Sequence, residues 1–269
     1  MIPGVGWLFC PADRPDRFAK AAAAADAVIL DLEDAVSPSA RPDARVALAH
    51  TPLDPARTVV RINPVGTNDH ELDVAALADL PYQYVMLAKA ESRDGLDRLG
   101  RYRVVALCET PLGVLHASEI AAAPQVDALM WGAEDLIAGL GGSSSRTPDG
   151  RYRDVARHAR SSVLLAAAAA GIAAIDSVYL DIADTDGLRS EADDAAASGF
   201  AAKACIHPAQ VEVVRAAFRP AAQDVAWARR VLGAAEPAGG VFAFEGRMVD
   251  EPVLRHARQV LARSARDES

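Results

Sequence analysis

Residues 103–135, RVVALCETPLGVLHASEIAAAPQVDALMWGAED, carry the pattern on which the fold turns. Two apolar runs, 103–108 and 128–131, each lead into acids: Glu109 after the first, Glu134 and Asp135 shortly after the second. Neither run alternates apolar with polar residues, so each reads as a strand buried on both faces, as parallel sheets require. The helix-spaced stretch 113–122 between them completes a right-handed β–α–β unit. Acids at such strand ends do not serve a core, because burying an unpaired carboxylate is costly. A hard divalent cation shared by Glu109 and Asp135 removes that objection.

Working outward, the same alternation fills most of the chain. Apolar runs lie at 6–10, 27–32, 58–62, 84–87, 103–108, 128–131, 174–180 and 202–206. Ala-rich helical patterns separate them at 13–25, 42–50, 69–78, 113–122, 154–170 and 186–198. Eight strands close a (β/α)8 TIM barrel, and 269 residues suit one such barrel. An open doubly wound sheet would show a glycine-rich turn after its first strand; here that turn is PADRPDR, with no G-x-G-x-x-G. Residues 1–218 are therefore expected to form the catalytic barrel, and 219–269 a helical extension and lid. That extension starts among helical stretches at 209–218 and 221–235, followed by a polar, glycine-containing segment, 236–240. VFAFEGRMVD (241–250) and a helix at 252–266 complete it, with 264–269 expected to fray. It reads as a lid or an arm packed on a neighbouring subunit.

Composition narrows the function. The chain is 51% hydrophobic and 24% charged, the balance of a soluble globular protein. A formal net charge of −9, without a basic run or stacking-aromatic cluster, argues against nucleic-acid binding. The three cysteines, Cys10, Cys108 and Cys205, lack paired spacing and are expected as free thiols in a reducing cytosol. No run reaches the roughly 20 apolar residues that span a bilayer, and the opening MIPGVGWLFC lacks a signal peptide's basic segment. The expectation is a cytoplasmic protein with no membrane partner, no targeting segment and no accessory domain before the first strand.

Nearly every apolar run ends in an ionisable residue, and in a barrel those ends meet at one mouth. They are Arg14, then Asp31, Glu33 and Asp34, then Arg61 with Asn63, Lys89 with Glu91, Glu109, Glu134 with Asp135, Asp181, and His207. Glu109 and Asp135 are the best metal ligands, because Mg2+ takes one or two carboxylates with waters and substrate oxygens. Zn2+ would call for closely spaced His or Cys, and the six histidines are scattered. The competing reading makes these acids helix caps or salt-bridged loop residues. Arg61 offers a planar fork to a substrate carboxylate, or else pairs with the acids of DLED, 31–34. Glu33 and Asp34 either hold Arg61 or a metal-bound water, or are structural. Arg14 and Lys20 present cations to a phosphorylated cofactor, or stand solvated. His207 is either a hydrogen-bonded structural residue or a ligand contact. The loop GLGGSSSR, 139–146, either cradles an anion or moves, and does not match a P-loop.

Together, GWLFCPADRPDRFAKAAAAADAVILDLEDAV (6–36), VVRIN (59–63), CETPLGV (108–114), WGAEDL (131–136), KACIHPAQ (203–210) and FEGRMVD (244–250) resemble the citrate lyase beta-subunit-like proteins. These belong to the aldolase/citrate lyase superfamily that also holds malyl-CoA lyases. The resemblance implies a (β/α)8 barrel that uses Mg2+ to cleave or form a carbon–carbon bond beside an acyl thioester. It assigns Mg2+ to Glu109 and Asp135, the keto-acid carboxylate to Arg61, and coenzyme A to Arg14 and Lys20. Phe9, Cys10, Ile206 and His207 line nearby positions. Asp250 matches a C-terminal aspartate that often closes over a neighbour's active site, and trimers or hexamers are common. One departure is FAAK at 200–203, where glycine is usual before the lysine.

The implied substrates are 3-hydroxyacyl-CoA thioesters such as malyl-CoA or citramalyl-CoA, interconverted with an acyl-CoA and a keto acid. Arg61 would orient the keto-acid half and Asp250 would move the proton. Two other enzymes share this barrel: the beta subunit of a citrate lyase complex acting on an acyl-carrier-protein thioester, and a class II pyruvate-type aldolase. An acyl-CoA-binding scaffold is the non-enzymatic alternative, disfavoured by the presence of Glu109, Asp135, Arg61 and Asp250 together.

Overall fold

Eight parallel strands close into a barrel in chain order. They are β1 (Gly6–Pro11), β2 (Ala27–Asp31), β3 (Thr58–Ile62), β4 (Tyr84–Leu87), β5 (Arg103–Cys108), β6 (Val126–Trp131), β7 (Ala173–Asp176) and β8 (Ala202–Cys205). The fold is the (β/α)8 TIM barrel that the sequence predicts. It comes from a computed structural model describing residues 4–238 and 240–267. The chain divides into two units, Met1–Arg215 and Ala216–Ser269.

Side chains along each strand alternate between the barrel interior and the helix layer. Trp7, Ile29, Val59, Met86, Leu107, Met130, Ile175 and Ala204 belong to one buried cluster that fills the interior. Two residues further on, in the same phase, come Phe9, Asp31, Arg61 and Glu109. The interior stack is thus apolar below and ionisable at its carboxyl end. The opposite phase, including Leu8, Val28, Leu30, Val60 and Leu129, is buried under the helices.

Pairing between β5 and β6 contains one irregularity. Val104 pairs with Val126 but Val105 pairs with Ala128, so Asp127 is an extra residue in β6. Regular pairing then runs up to Cys108 opposite Trp131. Asp127 is held by Arg103 at 2.5 Å.

The helices of the first unit are α1 (Phe18–Ala24), α2 (Arg41–His50), α3 (Asn68–Leu77), α4 (Pro111–Leu115), α5 (Ala117–Ala121), α6 (Ala133–Gly139), α7 (Asp154–Ala170) and α8 (Thr185–Ser198), with α9 (Pro208–Phe218) crossing the division. Four expectations change. The strand foreseen at 174–180 stops at Asp176, because Asp176 turns into the helix layer and the Ser177 carbonyl accepts from Lys203 Nζ at 2.7 Å; Leu180 is left exposed. The helix foreseen at 13–25 begins as a tight 3-10 turn, Pro15–Arg17. The one foreseen at 113–122 is broken at His116 into α4 and α5. Gly113 is needed there, since a Cβ would lie 2.4 Å from the Ala90 carbonyl oxygen. Finally α6, absent from the sequence reading, starts two residues after β6 and carries Glu134 and Asp135 in its first turn.

The second unit contains α10 (Ala222–Ala238), a hairpin of β9 (Phe242–Phe244) and β10 (Arg247–Val249), and α11 (Glu251–Asp267). Glu245 and Gly246 turn the hairpin with both φ angles positive, +48° and +76°. Ala228, Val231, Val249, Leu254, Ala257 and Val260 form this unit's own core. The helices overrun their foreseen ends: α10 passes residue 235 and α11 continues through 264–267, where fraying was expected. Residues 268 and 269 lie outside the described residues.

Candidate active site

At the carboxyl end of the barrel, Asp31 and Arg61 are neighbours in register on β2 and β3. Arg61 donates through Nε and Nη2 to the two oxygens of Asp31, at 2.6 and 2.5 Å. Its Nη1 lies 3.2 Å from Glu33 Oε2. The guanidinium also lies over the Phe9 ring, 4.9 Å from its centroid. Asp31 is itself fixed by the backbone amides of Glu33 (2.9 Å) and Ala35 (3.1 Å). The ion pair with DLED, one of the two readings of Arg61, is therefore present. It engages two of the five guanidinium N–H groups in hydrogen bonds, sets Nη1 beside Glu33, and so fixes the plane of the guanidinium.

Glu109 continues the interior stack one residue past β5 and is 3% exposed. Its Oε1 accepts the Lys89 backbone amide at 3.1 Å. Gly132 lies against it: a Cβ at that position would be 2.7 Å from Glu109 Cβ and 2.8 Å from Oε2. Only glycine leaves this space to the carboxylate. Burial, with the Asp135 carboxylate adding to it, pushes the Glu109 carboxyl up to about 8. Asp135 does not end a strand, as the sequence reading had it, but projects from the first turn of α6.

The residue that joins these acids is Lys89, just past β4. Its ammonium hydrogen-bonds Glu33 Oε1, lies 3.0 Å from Asp34 Oδ2, 3.4 Å from Asp135 Oδ1 and 4.0 Å from Glu109 Oε1. Sequence reasoning placed Lys89 at a strand end yet gave it no role. An ionisable side chain directly after an apolar strand was the available signal.

These residues fit a magnesium ion. Glu109 and Asp135 are hard oxygen donors, Gly132 keeps space beside one of them, and a cation already lies within 4.0 Å of both. Among the described residues no group of three or more His, Cys, Asp or Glu side chains forms a metal cage. Two carboxylates completed by waters and substrate oxygens are the donor set of Mg2+ rather than of structural zinc.

A family model described as HpcH/HpaI aldolase/citrate lyase matches residues 6–208. The chain belongs to the HpcH/HpaI aldolase/citrate lyase family. It is 61% identical over 261 residues to a citrate lyase subunit beta-like protein of Mycobacterium tuberculosis, covering 97% of this chain and 96% of that one. A (3S)-malyl-CoA thioesterase of Cereibacter sphaeroides is 34% identical over 96% of this chain and 93% of its own. Among solved structures, that of CitE from M. tuberculosis in complex with magnesium, acetoacetate and coenzyme A superimposes with a TM-score of 0.94 at 60% identity, covering 98% of both chains.

In this HpcH/HpaI-family barrel Glu33 and Asp34 share the mouth with Arg61 and Lys89. Glu33 is buried between Arg61 and Lys89, and burial holds its carboxyl above the usual range despite both cations. Asp34 is largely exposed; burial opposes its ionisation, but Lys89 draws its carboxyl below the usual range. Arg14 is exposed and engages Asp16 through two bonds of 2.9 and 2.8 Å. Lys20 is exposed on α1. Cys10, one residue after Phe9, turns to the helix layer, where burial pushes its thiol up to about 11. The Ile206 and His207 amides donate to Gln210 Oε1, and His207 Nδ1 accepts from Ala209 N at 3.2 Å. Asp250 lies in the second unit, where it precedes α11 and accepts the Val253 amide at 3.4 Å.

The glycine-rich loop is anchored. Ser145 is buried and donates to Glu134 Oε1 at 2.7 Å, tying the loop to α6 beside Asp135. Arg146 packs against Tyr152 and Tyr179, 3.9 and 4.9 Å from their centroids, and reaches Glu191 at 2.7 Å. Glu191 belongs to a second buried cluster in the helix layer. There Lys203 Nζ reaches Asp176 (2.9 Å), Glu191 (2.8 Å) and the Ser177 carbonyl (2.7 Å). Asp176 also accepts from Trp131 Nε1 at 2.7 Å and Arg160 Nε at 2.9 Å.

Proposed function

We propose that this chain is a Mg2+-dependent carbon–carbon lyase that cleaves or forms 3-hydroxyacyl-CoA thioesters of the malyl-CoA or citramalyl-CoA kind. One observation carries the reading: at the carboxyl mouth of the barrel Lys89 lies within 4.0 Å of both Glu109 and Asp135 and shares Glu33 with the guanidinium of Arg61 that Asp31 fixes. Glu109 and Asp135 would hold the ion, which supplies Lewis-acid polarisation of the keto-acid carbonyl. Arg61, locked by Asp31, would take the keto-acid carboxylate with its free N–H groups and so orient the bond that breaks. Arg14 and Lys20 would meet coenzyme A phosphates, with Phe9, Cys10, Ile206 and His207 nearby; the exposed Arg14–Asp16 pair is cheap to exchange. Asp250 would donate the proton to the acyl-CoA enolate, or remove it in condensation. A homotrimer or hexamer in the cytoplasm, with Asp250 serving a neighbouring copy, completes the proposal.

The test is a product assay on malyl-CoA and citramalyl-CoA with and without a chelator. An acyl-CoA and a keto acid are expected only with Mg2+, and full turnover in the chelator would end the metal reading. Release of the free hydroxy acid and coenzyme A instead would assign thioester hydrolysis, the activity named for the C. sphaeroides relative. D250N, which keeps an oxygen to cap α11, is expected to retain Mg2+ and coenzyme A binding and lose about 10²-fold or more in kcat. Unchanged kcat removes Asp250 from the chemistry.

A further inference from the structure

Lys89 has two unusual properties that one role explains. Its backbone is left-handed, φ +48°, a conformation shared among the described residues by only one other non-glycine residue, Glu245. A lysine there is strained, and such strain persists where the surroundings impose it. The twist aims the amide at Glu109 Oε1 and turns the ammonium back into the acids of the mouth. Five carboxylates gather there, Asp31, Glu33, Asp34, Glu109 and Asp135, against the two cations Arg61 and Lys89. Arg61 is committed to Asp31 and Glu33, so Lys89 is the cation nearest the two proposed metal ligands.

The distances are graded. Glu33 and Asp34 are at hydrogen-bond length from Nζ, whereas Asp135 and Glu109 are at 3.4 and 4.0 Å. The ammonium is anchored on the first pair and leans on the second.

We propose that Lys89 is a built-in placeholder for the divalent cation: its ammonium offsets part of the negative charge of Asp135 and Glu109 while no metal is bound, then withdraws onto Glu33 and Asp34 when the ion arrives. The proposal rests on Glu109 and Asp135 being the metal ligands. A monovalent and a divalent cation sharing those carboxylates repel each other strongly at this range. The ammonium keeps its closer partners when it leaves the farther ones, so exchange needs only a side-chain movement. Lys89 is on this view a positioning residue: it keeps the acids together without metal, and it makes metal binding weaker than the acids alone would.

The experiment is Mg2+ titration by calorimetry of wild type, K89M, K89R, E109Q and D135N. K89M is expected to bind Mg2+ at least about tenfold more tightly than wild type, while its metal-free form melts at a lower temperature. K89R, which restores a cation, is expected to return affinity toward the wild-type value. Loss of folding quality weakens binding and does not tighten it, so the sign of the change separates the placeholder from a merely structural lysine. Equal or weaker Mg2+ binding by K89M overturns the proposal. A second measurement needs no variant: acetic anhydride labelling of wild type, read by mass spectrometry, is expected to modify Lys89 several-fold faster with saturating Mg2+. An unchanged or slower rate counts against the exchange. Mg2+ binding that survives in E109Q and D135N would instead reject the ligand assignment beneath it.

Discussion

Two of the barrel's buried charge clusters are built on opposite principles. In the helix layer, Asp176, Glu191 and Asp194 meet Lys203, Arg160 and Arg146, three acids against three bases. Burial opposes the ionisation of Asp176, yet Lys203 and Arg160 outweigh it and hold the carboxyl below its usual range. The Lys203 ammonium has three acceptors, a full complement for its three N–H groups. At the mouth, five acids face two bases, and the Glu109 carboxyl is pushed up to about 8. A balanced cluster fastens β7, β8, α7 and α8 to one another. An unbalanced one is held ready for a charge from outside.

Three substitutions test that contrast. The largest effect is expected from K203M, which leaves Asp176 buried with one cation fewer. Chemical denaturation should show a loss of about 3–5 kcal/mol, the usual result of removing one partner from a buried pair. A loss below about 1 kcal/mol would erase the distinction between the clusters.

E109Q should do the reverse to the metal-free protein. The Glu109 carboxyl is raised to about 8, well above the roughly 4.3 of an unfolded chain. Its contribution to stability is therefore full below the unfolded value and drains away as pH rises toward 8. The amide that replaces the carboxyl has no such proton to lose. The variant should match wild type near pH 4 and exceed it by about 2–3 kcal/mol at pH 8, order of magnitude. Saturating Mg2+ should close that gap, because only wild type keeps the ligand. A gap that narrows with pH would show the carboxyl to be held below its ordinary range instead.

The smallest effect is expected from S145A. Losing the bond to Glu134 should cost about 1 kcal/mol. If the loop positions α6, Mg2+ affinity should also fall a few-fold, and titration would detect it. Unchanged affinity would make the loop a cover with no bearing on Asp135.

Much of this architecture is legible in the sequence, and the reasons are physical. Strands buried on both faces leave long apolar runs, and those runs located the eight barrel strands; the largest overrun, 174–180, came from continuing through Val178, which packs on the interior core from a loop, to the exposed Leu180. The interior phase, Ile29 to Asp31, Val59 to Arg61 and Leu107 to Glu109, is fixed by counting in twos, so the ionisable residues at those ends are predictable from pattern alone. Asp135 stands on α6 rather than at a strand end, because a helix as short as α6 leaves no periodicity to read. Lys89 was seen and not used, since its part depends on a backbone conformation that sequence does not announce for lysine. The Asp176–Lys203 cluster was missed although it leaves a trace. Asp176 and Lys203 each interrupt an apolar strand, and the two pair directly in register. A charge inside an all-apolar strand requires a partner, and adjacent strands are where to look for it.

The extra residue in β6 has a long reach. Pairing after Asp127 continues as Leu107 with Met130 and Cys108 with Trp131, which brings Glu109 level with Gly132. Were Asp127 paired in regular register instead of bulged, Cys108 would stand opposite Met130 and Trp131 opposite Glu109, with every later side chain of β6 turned to the other face. The irregularity stands five residues below, about 16 Å down the strand at 3.3 Å per residue. The opening beside the carboxylate is thus gauged from the foot of the barrel, and the Arg103–Asp127 pair there acts as its set-screw.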